Sequence, residues 1–272
     1  MEKIIITGTK GFIGGNLLDR LKGKFDILEI NEDIFDYKDW IGELNSILLD
    51  FNPSTIFHIG ACSNTLESDV NYMMKVNYEF TKILSDYCFD NDVKLIYSSS
   101  AANYGINGLY PSNLYGWSKY IAENYVIKNN GLALRYFNVY GFGEQNKGNM
   151  ASVAYQMYLK KLKNEEIKLF PLKPKRDFVY IDDVIDANIF ANDNYKTLCG
   201  FYYEVSSGES RLFEDIMNIF GLSYSYANKE LIPKGYQFLT QSNKEKWMPN
   251  WHPKYNLEKG LKKYFSELNQ FF

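Results

Sequence analysis

The chain opens with the apolar run Lys3-Ile4-Ile5-Ile6. Thr7-Gly8-Thr9-Lys10-Gly11-Phe12-Ile13-Gly14-Gly15 follows, and then an amphipathic stretch from Asn16 to Leu21. A short apolar run without alternation suits a strand covered on both faces, as in a parallel sheet. Glycines at three-residue spacing permit a tight turn and let backbone N–H groups at a helix N-terminus approach a pyrophosphate. Gly8-x-x-Gly11-x-x-Gly14 differs in spacing from the G-x-G-x-x-G fingerprint. The order strand, glycine turn, helix is nonetheless the opening of a dinucleotide-binding unit.

Further strands are expected at Asp26 to Ile30, Thr55 to Ala61, Val93 to Ser98, Leu132 to Phe137, Asp177 to Tyr180 and Tyr202 to Val205, with helical sequence from Asn71 to Phe89 between them. Alternating strands and helices predict an α/β fold, a Rossmann-type doubly wound parallel sheet. The regularity fades from Gly141 to Lys175 and again after Gly208, where the sequence is helical, aromatic and lysine-rich. The expected division is a dinucleotide-binding domain over 1–140, rejoined by 176–206. A smaller, mainly helical substrate lobe over 141–175 and 207–272 would cover the carboxyl ends of the strands.

A formal charge of -3 on 272 residues argues against a nucleic-acid partner. Cys62, Cys88 and Cys199 are scattered and read as reduced thiols of a cytoplasmic protein. With His58 and His252 as the two histidines and no close Cys/His cluster, no metal site is expected. Met1 runs straight into the first strand, so no signal peptide is expected, and no apolar run reaches membrane-spanning length.

Tyr115 and Lys119 stand four apart, on one face of a helix. A lysine ammonium beside a phenol favours phenolate, so such a tyrosine can exchange protons with an alcohol. Alone, the pair reads as ordinary surface. The glycine turn and Ser98-Ser99-Ser100 upstream give it catalytic company, although Ser100 also reads as a polar strand end capping the next helix.

Together these blocks resemble the extended short-chain dehydrogenase/reductase family of nucleotide-sugar epimerases, dehydratases and reductases. The matching residues are the glycine turn, Ser98-Ser99-Ser100-x-x-x-Tyr104-Gly105 and Tyr115-x-x-x-Lys119. Arg135-Tyr136-Phe137-Asn138-Val139-Tyr140-Gly141 and Arg176-Asp177-Phe178-Val179-Tyr180 complete the set. The resemblance implies a tightly bound NADP or NAD, a homo-oligomer, Tyr115 as acid/base, Lys119 on the nicotinamide ribose and Ser100 on the reacting oxygen. Gly8, Gly11, Phe12, Ile13, Gly14, Asn31, Asn77 and Val139 are its other implied cofactor contacts.

Within that family the chain is most similar to the ADP-heptose 6-epimerases, which act in lipopolysaccharide-precursor synthesis. Phe57-His58-Ile59-Gly60-Ala61-Cys62-Ser63 resembles their cofactor loop, so Gly60, Ala61, Cys62 and Ser63 join the cofactor set. The block 146–154 resembles their substrate segment. Lys147 alone would read as a solvated loop lysine, but the block implies a second acid/base. Two proton partners suit an epimerase, because the substrate oxygen occupies two orientations before and after inversion. Asn138, Asn149, Gln156, Phe170, Arg176 and Tyr236 are the implied contacts to an ADP-heptose-like nucleotide sugar.

The dehydratases of the family share an Asp-Glu pair where this chain has Ala101-Ala102, which cannot move protons. Neither histidine falls in the motif of the fucose-forming epimerase/reductases. Other departures concern the ligands. Asn149 replaces a serine and Gln156 a histidine, and the loop 170–175 and the segment 100–115 are shortened. Glu29, Asn31 and Glu32 compete for the position that reads the adenosine ribose. Lys10 and a neutral Asn31 lean the expectation towards NADP. A helix and strand after residue 32 have been cut out, as in keto-rhamnose reductases. The alternative is therefore a reductase of a nucleotide-linked keto-sugar.

Overall fold

The computed structural model describes residues 1–106, 108–232 and 236–272. Its strands are β1 (Lys3–Thr7), β2 (Asp26–Ile30), β3 (Thr55–His58), β4 (Lys94–Ser100), β5 (Leu132–Tyr136), β6 (Asn138–Tyr140), β7 (Lys168–Leu169), β8 (Lys175–Tyr180), β9 (Tyr202–Val205), β10 (Ser210–Leu212) and β11 (Ser225–Tyr226). The helices are α1 (Phe12–Leu21), α2 (Trp40–Phe51), α3 (Val70–Met74), α4 (Phe80–Asp90), α5 (Leu114–Lys128), α6 (Val153–Leu162), α7 (Ile181–Asp193), α8 (Tyr195–Leu198), α9 (Phe213–Phe220) and α10 (Leu257–Phe271). Among the described residues no helix is long and apolar enough to cross a membrane.

Six strands form a parallel sheet in the order β2-β1-β3-β4-β5-β9. Side chains alternate across each strand, so each strand feeds two layers. Ile4 and Ile6 enter one core with Leu17 and Leu21 of α1 and Val184 of α7. Ile5 enters the other with Leu44 and Leu48 of α2 and Leu84 of α4. Ile4, Ile5 and Ile6 are all fully buried, which stabilises by roughly 1.5–3 kcal/mol per side chain. That double cover is why the opening strand reads as a continuous apolar run.

In sequence, β2 lies on one side of β1 and β3 on the other, so the winding reverses between β1 and β3. A crevice opens there at the carboxyl ends of the strands. Among the described residues β2 has no outer neighbour, which agrees with the excision expected after residue 32.

Two strands depart from expectation. The segment expected to run from Thr55 to Ala61 ends at His58, because the Gly60 N–H turns to donate to Thr7 Oγ1 at 2.9 Å. The strand at 175–180, expected to rejoin the main domain, lies in a second sheet of order β10-β8-β6. Beside β5 the main sheet takes up β9 instead, and Phe137 N–H bonds to Val205 O at 3.1 Å. Apolar periodicity marks a strand without naming the sheet it joins.

His58 closes β3 inside the core. It lies 2.8 Å from Thr7 Oγ1 through Nδ1 and 2.8 Å from Thr81 Oγ1 through Nε2. Thr7 Oγ1 also accepts from Gly60, and Thr81 Oγ1 donates to Asn77 O at 2.8 Å. Thr7 is thereby free to donate to Nδ1, which suits a neutral ring. Burial, and then the charge of Lys119, lower its pKa to about 3. Below its ordinary pKa the unfolded histidine binds a proton that the folded one refuses, so stability falls as pH drops from about 6.5 towards 3. Urea melts should show wild type losing about 1.4 kcal/mol per pH unit more than His58→Gln between pH 6 and 4. Equal slopes would remove His58 as the cause.

Candidate active site

The crevice walls come from the carboxyl ends of four strands. From β1 and its turn come Gly8, Gly11, Phe12, Ile13 and Gly14. From β3 come Gly60, Ala61, Cys62 and Ser63. Asn31 and Glu32 follow β2, and Ser98 and Ser99 end β4. Tyr115 and Lys119 face in from α5, and Lys147 from the 3-10 turn Gln145–Met150.

The centre of the crevice depends on the absence of side chains. Gly8 has φ +71, and a Cβ there would lie 2.5 Å from Gly60 Cα. A Cβ on Gly14 would lie 2.1 Å from Gly8 O. Helix α1 therefore begins directly under the loop, with its free N–H groups facing the crevice. Phe35, Val76 and Phe80 give one end an apolar wall, and Tyr115 and Lys119 stand at the other. An aromatic base, an anion cradle and an acid/base end are what a nicotinamide dinucleotide requires of its site, so the residues present fit that group.

Helix α5 is placed by the Asn113 cap, whose Oδ1 accepts from Gly116 N at 2.8 Å. This fixes Tyr115 in the first turn and Lys119 one turn on. Lys119 is 3% exposed. Its Nζ donates to Ser98 O at 2.6 Å and lies 4.6 Å from the Tyr97 ring centre. Tyr115 is half-buried and lines the crevice. Burial raises the Tyr115 pKa, a Ser100 hydrogen bond opposes this, and nearby Cys62 adds to the rise. Burial lowers Lys119 to about 7 against an opposing pull from Glu123. The Ser100 hydroxyl favours the phenolate, and the Lys119 ammonium is engaged by a β4 carbonyl. Ser100 also caps the turn Ala101–Tyr104 through Ala102 N at 3.1 Å, as its reading as a polar strand end expects.

Lys147 is partly buried, with Nζ 5.5 Å from the Phe12 ring centre. Burial lowers its pKa and Glu144 raises it. It is not a solvated loop lysine.

Several expected contacts are placed elsewhere. Asn77, on the π-helical stretch Lys75–Glu79, binds Cys62 N–H at 2.8 Å and Cys62 O at 3.0 Å. It supports the crevice loop from behind instead of facing the crevice. Val139 packs on the core and is not part of the wall. Gln156 donates its amide to Ala151 O at 2.8 Å and Asn149 O at 3.2 Å, pinning the loop after Lys147. The Asn149 side chain is exposed. Asn138 Oδ1 accepts from Thr240 Oγ1 at 2.9 Å. Phe170 and Tyr236 meet edge to face at 5.2 Å, and the Arg176 guanidinium lies 5.2 Å from the Tyr236 ring centre. These three form a cluster in the smaller lobe, outside the crevice wall.

At the outer end, Lys10 lines the crevice and pairs with Asp33 at 3.5 Å across an exposed surface. Glu29 turns away and accepts from Thr9 Oγ1 at 2.5 Å, leaving Glu32 as the acid on the crevice wall. Ser98, Ser99, Phe35, Val76 and Phe80 were missed as wall residues. The serine triplet was a visible signal for the first two, whereas the apolar three read as ordinary core.

A model of the NAD dependent epimerase/dehydratase family matches residues 4–202. The ADP-L-glycero-D-manno-heptose-6-epimerase of Brachyspira hyodysenteriae (strain ATCC 49526 / WA1) is 34% identical over 98% of this chain and 98% of its own. That alignment runs over 315 positions, so this chain of 272 lacks segments its relative has. The solved ADP-L-glycero-D-manno-heptose-6-epimerase of Helicobacter pylori has a TM-score of 0.82 at 27% identity, covering 98% of this chain and 96% of that one. The UDP-glucose 4-epimerase of Thermotoga maritima, solved with UDP-glucose, shares the fold at TM-score 0.85 and 24% identity, covering 99% of each chain. The chain belongs to the NAD dependent epimerase/dehydratase family.

Gly14→Ala is expected to weaken NAD binding by at least about tenfold, because the new methyl must displace the Gly8 peptide from the cradle. Isothermal titration would read this, and unchanged affinity in a folded variant would show that the turn is not the cradle.

Proposed function

We propose that the protein is a nucleotide-sugar epimerase of the ADP-heptose 6-epimerase type, inverting a carbinol centre through a transient keto-sugar. The observation that carries this is Lys147, which shares the crevice wall with Tyr115 although it lies on a different element. Bound nicotinamide dinucleotide would supply the hydride acceptor and then the donor.

Tyr115 and Lys147 are the proton partners. Burial favours the protonated phenol at Tyr115, the form that donates to a ketone oxygen. Burial also moves Lys147 towards the neutral amine, the form that accepts from an alcohol. Groups whose environments set opposite starting protonation states suit acid and base roles. Ser100 orients the reacting oxygen beside Tyr115, and Lys119 holds the nicotinamide end. Ala101 and Ala102 offer no acid or base for dehydration. Residues 141–175 and 207–272 supply the substrate lobe. There Arg176, Phe170 and Tyr236 offer a guanidinium and two rings for the nucleotide diphosphate.

Glu32 supports NAD over NADP, since a carboxylate suits a ribose diol and repels a 2′-phosphate. Glu32→Gln should raise NADP affinity roughly tenfold with little change for NAD. Calorimetry would decide, and an unchanged ratio would free Glu32 of this role. Free thiols at Cys62, Cys88 and Cys199 fit a reducing cytoplasm. The exposed Trp117, stacked on Tyr110, gives α5 an aromatic surface suited to a homo-oligomer.

Incubation with ADP-D-glycero-D-manno-heptose should invert C6 by NMR without net change in reduced-cofactor absorbance. Lys147→Ala should slow inversion at least about 100-fold while retaining cofactor binding. Stoichiometric cofactor consumption would make the enzyme a reductase, and wild-type rates in Lys147→Ala would remove the second base.

A further inference from the structure

The serine triplet that ends β4 meets α5 twice: Ser98 O accepts from Lys119 Nζ at 2.6 Å, and Ser99 Oγ donates to Glu123 Oε2 at 2.6 Å. Tyr115, Lys119 and Glu123 follow one another at four-residue intervals and so form one stripe of the helix. The first two belong to the proposed reaction. The third has no part in it so far.

Glu123 is 1% exposed, and donors converge on its carboxylate from three other segments. Besides Ser99, Asn103 Nδ2 donates at 3.1 Å from the turn that leaves Ser100. Arg135 of β5 donates through Nε at 2.7 Å and also through Nη2. Arg135 is 6% exposed, with its guanidinium 3.6 Å from the Tyr202 ring centre and 4.7 Å from that of Tyr104. A buried ion pair is a poor device for stability alone, since well-packed apolar residues commonly do as well or better. This pair instead ties β5 to the helix carrying Tyr115, and the Ser99 hydrogen bond to the same carboxylate ties in the strand carrying Ser100.

We infer that Glu123 is a positioning residue for the reaction: clamped by Arg135, it seats the end of β4 on the Tyr115–Lys119 face of α5, one helical turn beyond Lys119. The inference rests on Tyr115 and Lys119 being the acid/base pair proposed above. The groups around Lys119 are the Tyr97 ring on β4, His58 on β3, and Tyr115 and Glu123 on its own helix. His58 is held neutral and burial keeps both phenols protonated, so Glu123 is the anion of that set. It opposes the burial that moves Lys119 towards neutrality.

The test reads Lys119 directly, by a ¹³C NMR titration of lysine Cε in the cofactor-free protein, with the signal assigned by Lys119→Met. Wild type should titrate near 7. Glu123→Gln should titrate lower by about one pH unit or more, the effect of losing a nearby opposite charge. The same should hold for the double variant Glu123→Gln/Arg135→Met, which avoids stranding a buried guanidinium. The pH profile of kcat should move in the same direction, and Glu123→Asp should recover part of the shift. A role in stability alone would lower the melting temperature and leave the titration in place. An unmoved Lys119 in either folded variant, or a wild-type value near the ordinary lysine range, overturns the proposal. The titration needs no sugar, so failure of the substrate assignment would not be mistaken for failure of this one.

Discussion

The contact on which the site depends is backbone against backbone. Gly8, at the end of β1, lies so close to Gly60, after β3, that a Cβ on Gly8 would fall 2.5 Å from the Gly60 Cα. This lets α1 start directly beneath the loop and brings its free N–H groups to the crevice. Thr7, His58 and Thr81 then bind the same two strand ends to α4 through a run of buried hydrogen bonds. The crevice is thus a consequence of parallel strands whose ends are held at a fixed distance by atoms that cannot be enlarged.

Around that cradle the site is assembled from distant parts of the chain. The Tyr115–Lys119 pair lies on α5, the hydroxyl that tunes Tyr115 comes from β4, and Lys147 reaches in from a turn beyond β6. The buried stripe of α5 carries Ser118, Lys119 and Glu123 among apolar residues. Such a helix shows little amphipathic contrast, because its inward face is as polar as a surface. Its polarity is satisfied by the β4 end and by Arg135, so the helix is stable only in the presence of the sheet it serves.

Much of this was legible in the sequence. The doubly wound sheet follows from Ile4-Ile5-Ile6, the glycine turn and the spacing of later apolar runs. The glycines, the 60–63 loop, Tyr115, Lys119 and Lys147 meet in one crevice, as the motifs implied. The illegible part concerned direction. Asn77, Val139 and Gln156 are polar or apolar residues in the right blocks, yet Asn77 and Gln156 spend their amides on backbone groups and Val139 packs inward.

By itself the sequence determined the order of strands and turns, the glycine positions where backbone must approach backbone, and the residue types able to exchange protons and hold a dinucleotide. These are local properties, set by steric size and by side-chain chemistry. Only the tertiary structure decided that 175–180 joins a second sheet, that the Lys119 ammonium turns to the Ser98 carbonyl, and that Glu32 is the acid on the crevice wall. It also decided that Glu123, silent in the sequence, sits at the junction of β4, β5 and α5. Each of those outcomes depends on burial and on which partner lies within a few ångströms, and neither is specified until the strands have packed.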